Sequence, residues 1–323
     1  MGNKSVISNF GLDSVEPYLL EVERLLLKFT DDASPKIKIS AQRIIKAGGK
    51  RLRPRLVIAS AKCIDDNIRE STLYAAVAVE LVHLATLVHD DIIDNSDVRW
   101  GMSTVNAIEG SSHAIVLGDY LLSLASLVAC EAGVDITKII NQACVDVCVG
   151  QSIETADLFN TERTIDNYLK STKYKTASLI SASCRAGAVS AGATTKQAEY
   201  LGRFGENFGI SYQMIDDLMD LFSTSEVMKK PVGNDVKEGN YTYAVLLAFA
   251  KDENLKKYIS KLTQTEIADS LKQKRADKET KIKIKYYESL ANKSLELVEV
   301  KNGTDELRQI VNKYANWAVN NLG

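Results

Sequence analysis

Six aspartates carry the first chemistry that can be read from this chain. Asp90, Asp91 and Asp94 stand in His89-Asp90-Asp91-Ile92-Ile93-Asp94, and Asp216, Asp217 and Asp220 repeat the spacing in Gln213-Met214-Ile215-Asp216-Asp217-Leu218-Met219-Asp220. Residues four apart on a helix share a face, so Asp90 lies with Asp94 and Asp216 with Asp220. Like charges on one face repel, and oxygen-only donors suit a hard cation such as magnesium. One such run is weak, because solvated helix faces often carry them. Two runs inside apolar stretches are stronger, because aspartate is seldom buried unpaired. Magnesium keeps waters and shares its shell with phosphate oxygens, so two acidic walls point to several ions gripping a diphosphate.

Cations should flank such a clamp. Gly48-Gly49-Lys50-Arg51-Leu52-Arg53-Pro54 is a glycine turn delivering three of them, Arg99 follows the first cluster, Lys175 lies mid-chain, and Lys229 and Lys230 follow the second cluster. Each alone is more often a surface charge. Their positions beside glycine turns and acidic clusters favour phosphate contact.

The elements that must position these groups read as helices almost throughout. Ser14 is placed to cap a helix running to about Phe29, with Pro17 in its first turn; Pro35 starts the next, which ends at Gly48-Gly49, and Pro54 opens a third. Ser71 is placed to cap a long helix from Leu73 to about Ile93 that is apolar on nearly every side, the mark of a central helix. Further stretches cover 113–132, 137–155, 165–191 and 196–222; a polar loop with Pro231, Gly233 and Gly239 follows, then 241–254 and charged helices at 281–298 and 304–319. No strand alternation, repeat or linker stands out. The expectation is an all-α fold, one helical domain over 1–323.

Composition narrows the classes. A formal net charge of -2 gives no electrostatic reason for a nucleic-acid partner. Four prolines suit long helices, and five cysteines without dense spacing suit a reducing, cytoplasmic setting. Cys144 and Cys148 read as two small core residues on one helix face. The start, MGNKSVISNF, lacks the apolar run of a signal peptide and the Ser or Thr of a myristoylation site. No uncharged run reaches the ~18 apolar residues of a membrane helix, so no membrane span is expected.

Together these segments resemble the trans-polyprenyl diphosphate synthases. The likeness runs from about Ile39 to Leu247, with motifs in the family's order: GGKRLRP at 48–54, ELVHLATLVHDDIID at 80–94, Gly150-Gln151, Lys175-Thr176, YQMIDDLMD at 212–220 and KPVGNDVKEG at 230–239. The resemblance implies antiparallel helices around a deep central cavity, in a homodimer. It implies head-to-tail condensation of isopentenyl diphosphate with an allylic diphosphate. By motif, Asp90, Asp94 and Asp216 match the magnesium ligands, supported by Asp91, Asp217 and Asp220. Lys50, Arg53 and His83 match groups that hold isopentenyl diphosphate; Arg99 and Lys175 match groups on the allylic diphosphate, with Lys230 a further substrate contact. Thr176 and Gln213 match polar groups at the reaction centre, and Gln151 and Glu154 stand behind them.

Two positions depart from the pattern. Paired arginines before a glycine are replaced by Arg99-Trp100-Gly101, and Glu-Gly-Lys is replaced by Glu238-Gly239-Asn240. Each change removes a charge-assisted contact of about 1.5–3 kcal/mol. Three readings stay open: Lys237 or Lys230 compensates, the enzyme is slow, or a partner subunit completes the site in a heteromer. A weakly active or regulatory subunit is thus one rival; a class I terpene cyclase is another, opposed by the GGKRLRP turn and the second aspartate cluster.

Product length is read one helical turn before Asp90. Ala85 and Thr86 are small, so neither blocks a growing tail, and Leu81 and Val82 lie roughly 6 Å deeper. In similar synthases bulky aromatics here stop growth early, so a product beyond fifteen carbons is expected.

Overall fold

A computed structural model describes residues 14–224, 233–300 and 303–321. The long apolar stretches form α1 (Glu16–Phe29), α2 (Pro35–Lys46), α3 (Leu52–Ile64), α4 (Glu70–Ile93), the short α5 (Val105–Glu109), α6 (Ser111–Ala132), α7 (Val134–Ala156), α8 (Ile165–Thr172), α9 (Ser178–Ser190) and α10 (Thr195–Phe222). Helices Asn234–Lys237, Tyr243–Lys251, Gln264–Gln273, Ala276–Glu296 and Asp305–Asn321 follow. Strand is confined, among the described residues, to a hairpin of Val98–Arg99 with Met102–Ser103. Its central residues, Trp100 and Gly101, have φ of +53° and +77°, the signs of a type I′ turn.

α4 is the central helix that its all-round apolarity predicts: Val77, Val79, Leu81, Val82 and Ala85 are all inaccessible to solvent. It packs on α6, α3 and α9, while α10 packs on α9 and on Ala276–Glu296. By length and composition α4 and α6 could each cross a membrane, although charges interrupt both, Glu80 in α4 and Asp119 in α6; α4 is mostly buried in the protein core.

Several local expectations are corrected. Ser14 does not cap α1; the cap position is Val15, and the Ser14 hydroxyl donates to Glu306 instead. Ser71 lies inside α4, whose cap position is Arg69, and its hydroxyl points to the Ser190 carbonyl at 3.5 Å. The stretch 165–191 is interrupted by a π-helical turn, Lys173–Ala177. Of the two cysteines read as core, Cys144 is half-buried and Cys148 is exposed, because the outer face of α7 also carries apolar side chains.

Candidate active site

Both aspartate clusters sit at helix C-terminal ends, α4 ending at Ile93 and α10 at Phe222. Unsatisfied carbonyls there already carry partial negative charge. Six carboxyl groups added to two such ends make a strong demand for cations.

On the first wall Asp91 is buried and accepts from Arg99 Nε at 2.7 Å; the hairpin turns the chain back so that Arg99 reaches it. Asp90 is half-buried, and Asp94 is exposed at the α4 cap. Desolvation by the surrounding protein raises all three carboxyls above the ordinary range, and at the exposed Asp94 the neighbouring Asp90 and Glu154 add to it. Lys175 opposes that rise at Asp90 and Asp94.

On the second wall a chain of hydrogen bonds fixes Asp217. Thr176 Oγ1 donates to Gln213 Oε1 at 2.8 Å, Gln213 Nε2 to Asp217 Oδ1 at 2.8 Å, and the Tyr168 hydroxyl to Asp217 Oδ2 at 2.5 Å. Burial nevertheless pushes Asp217 up to about 7. Asp220 is buried and accepts from the Asp235 amide at 3.4 Å. Asp216 is half-buried and within electrostatic reach of Lys50.

Between the walls lies the ion pair Lys175 Nζ–Glu154 Oε1, 2.5 Å. Burial pulls Lys175 down, but Glu154, Asp90 and Asp94 hold it above its usual range. Glu154 is also felt by Asp90, Asp94 and Asp217, so both clusters look onto this one pair. The π turn carries Lys175 inward, and Gly150 of α7 lets it approach: a Cβ on Gly150 would meet the Lys175 amide nitrogen at 2.2 Å. A π turn at a functional position is a recurring device.

The glycine turn brings Lys50 and Arg53 to the same region. Lys50 Nζ lies 4.1 Å from the ring centroid of Trp317 and 5.1 Å from that of Tyr314, and burial lowers its pKa. Arg53 is half-buried and its Nε is enclosed without a hydrogen-bond partner. His83 is driven well below its ordinary pKa by burial, then by Arg53, Arg99 and Arg51, so its ring is neutral. Arg51, the third cation of the turn, is spent elsewhere: it donates to Glu23, to Glu80 at 2.8 Å and to the Ile45 carbonyl at 2.6 Å. The expectation that the turn delivers all three cations is corrected for Arg51, which is held by two carboxylates and a carbonyl.

Leu81, Val82 and Ala85 have no accessible surface, whereas Thr86 is half-buried and its hydroxyl donates to the His83 carbonyl at 2.8 Å. Lys229 and Lys230 lie outside the described residues, and Lys237 is exposed. Sequence reading missed Tyr168 and Arg163. Arg163 contacts Asn240 from 77 residues away, and no local spacing marks either residue.

The donors fit magnesium in kind. Among the described residues no three His, Cys, Asp or Glu side chains form a ready-made metal cage. The enclosed Gln151 Oε1, an oxygen acceptor, and Arg53 Nε, a donor suited to a phosphate oxygen, are polar atoms without protein partners.

The profile of the polyprenyl synthetase family matches residues 34–280. The chain is 38% identical over 251 residues to heptaprenyl diphosphate synthase component 2 of Bacillus subtilis, an alignment covering 76% of this chain and 72% of that protein. It is 33% identical over 254 residues to the chloroplastic solanesyl-diphosphate synthase 2 of Oryza sativa, covering 77% of this chain but spanning only 63% of that protein's length. Its fold superposes on heptaprenyl diphosphate synthase from Staphylococcus aureus with a TM-score of 0.86 at 31% identity, covering 94% and 98% of the two chains.

Proposed function

Because the chain belongs to the polyprenyl synthetase family, we infer that it condenses isopentenyl diphosphate head-to-tail with an allylic prenyl diphosphate, releasing pyrophosphate. The observation that carries this reading is the meeting of two acidic helix ends on one half-buried lysine–glutamate pair. Asp90, Asp94 and Asp216 are the residues that would hold magnesium, with Asp91, Asp217 and Asp220 behind them. Bound magnesium supplies neutralisation of the diphosphate as it leaves.

The chain's own groups divide the remaining work. Lys175 exchanges Glu154 for the allylic diphosphate, and Arg99 approaches it from Asp91. Lys50 and Arg53, with a neutral His83 as hydrogen-bonding partner, take isopentenyl diphosphate. Thr176 and Gln213 present polar atoms where the allylic carbon–oxygen bond breaks, and Lys230 adds a substrate contact. No side chain acts as a strong base; the final proton goes to the departing diphosphate.

The product exceeds fifteen carbons, because only small side chains stand at Ala85 and Thr86. A tail entering beside Thr86 runs along α4 past Ala85 towards Leu81 and Val82. Ala85→Phe is expected to shorten the product by at least one five-carbon unit, and an unchanged product profile would sink this placement of the floor. The chain works in the cytoplasm as one domain over 1–323 and as a homodimer. An exposed apolar face on α6 and α7, with Ile115, Val116, Leu127, Val134, Val145 and Val149, supports the pairing. The replaced cations at Trp100 and Asn240 favour one second reading, a subunit that needs a different partner.

Labelled isopentenyl diphosphate, a series of allylic primers and magnesium, followed by product sizing, tests the activity. Incorporation is expected with magnesium and abolished by chelation. No incorporation by the purified chain would overturn the homomeric reading, and none with candidate partner subunits would overturn the activity.

A further inference from the structure

Asn240 stands where the family pattern has lysine, and the fold brings an arginine to it from elsewhere. Arg163 lies in the loop before α8, with a side chain only 1% exposed. Its Nη1 donates to Asn240 Oδ1 at 2.8 Å and to the Tyr241 carbonyl at 3.0 Å, and its Nη2 donates to Ser171 Oγ at 2.7 Å. Its Nε faces Asp157 Oδ2 at 3.5 Å. The guanidinium carbon is 5.5 Å from the ring centroid of Tyr168, the residue whose hydroxyl donates to Asp217.

The same loop is tied to the segment after the second cluster. The Phe159 amide donates to the Gly239 carbonyl at 2.9 Å, the Asn240 amide to the Asp235 carbonyl at 2.7 Å, and the Asp235 amide reaches Asp220 Oδ2. One buried guanidinium thus stands behind both Asp217, through Tyr168, and Asp220, through the 235–240 segment. An asparagine offers it an acceptor oxygen; a lysine at 240 has none and would place a second cation against the buried guanidinium.

We propose that Arg163 is a positioning residue that delivers the positive charge of the second acidic wall from the loop before α8, with Asn240 as its matched acceptor. The absent lysine is then a charge moved between elements. This rests on the reading of the chain as a prenyl diphosphate synthase, because it assigns the charge to an allylic diphosphate site.

The parent, Arg163→Met, Asn240→Lys and the double variant are compared in three measurements: titration with inorganic pyrophosphate and magnesium, kinetics with each substrate varied in turn, and thermal melting. Arg163→Met is expected to weaken pyrophosphate binding and kcat/KM for the allylic substrate about 10- to 100-fold, the scale of one charge-assisted contact, with KM for isopentenyl diphosphate unmoved. Asn240→Lys alone is expected to lower melting temperature and binding, and the double variant to recover most of both.

A double variant no better than Arg163→Met, or an Asn240→Lys protein as good as the parent, overturns the proposal. Should Arg163→Met fail to fold, Arg163→Lys is set against Arg163→Gln. Lysine keeps the charge without the planar fork, so it should bind pyrophosphate more tightly than glutamine does, and equal binding overturns the proposal. A parent that binds magnesium pyrophosphate without elongating any primer sinks the proposed activity and leaves the charge swap standing. An active parent with an uncoupled Arg163–Asn240 pair sinks the swap alone.

Discussion

Trp100 occupies the tip of the hairpin at positive φ, a conformation that costs a bulky residue energy. Its ring edge lies where a Cβ on Gly49 would meet it at 3.6 Å, so it roofs the glycine turn that presents Lys50. An arginine in its place would put a second cation beside that turn without changing backbone strain, and with 37% of Trp100 exposed little packing is lost. Trp100→Arg is therefore expected to lower KM for isopentenyl diphosphate by about tenfold, the low end of one charge-assisted contact, with stability changed by under about 1 kcal/mol. Kinetics at saturating allylic primer check this; an unmoved KM would mean that the missing arginine has no counterpart in this site. At this scale the motif residues were legible because their types and spacing are local. Arg51 and Arg163 were not: Arg51 looks like its two neighbours in the turn, and only the fold directs it to Glu23 and Glu80.

Among the elements, the π turn at Lys173–Ala177 does the positioning that regular helix would not. It depends on Gly150, because a methyl there would press on backbone atoms of Lys175, at 2.2 Å from the nitrogen and 2.6 Å from Cα. Backbone cannot rotate aside as a side chain can, so Gly150→Ala is expected to cost about 1–3 kcal/mol by overpacking. It should also displace Lys175 from Glu154, so turnover falls further than the melting temperature implies. Melting curves and turnover measured on one preparation separate the two effects; a stable variant with parental kcat would show that Lys175 does not need this turn. Helices themselves were readable from periodicity, α4 above all. Their starts were less so, since Ser14 and Ser71 look like caps and are drawn off by Glu306 and Ser190. The π turn was invisible, because it is set by α7 pressing on Lys175 and not by any pattern within 165–191.

Over the whole molecule, the acidic walls tie stability to pH. Asp217 has an ordinary value of 3.8 and is raised by burial to about 7, while Asp90, Asp91 and Asp94 move in the same direction. A carboxyl raised in the folded state binds its proton more tightly there than in the unfolded chain. Its contribution is fully present below the unfolded value and is lost as pH rises through the folded one. For Asp217 that window runs from about 4 to about 7, and the loss is on the order of a few kcal/mol, since each unit is worth about 1.4 kcal/mol. In chelator, the stability of Asp217→Asn relative to the parent should therefore climb across this window, because the amide never ionises. Magnesium with pyrophosphate should flatten the parent's decline by supplying the charge that the walls require. Thermal unfolding at several pH values, with and without these ions, measures both effects. A stability difference that stays constant from pH 4 to 7 would place Asp217 in contact with solvent and remove the cost of burying acid from the account of this site.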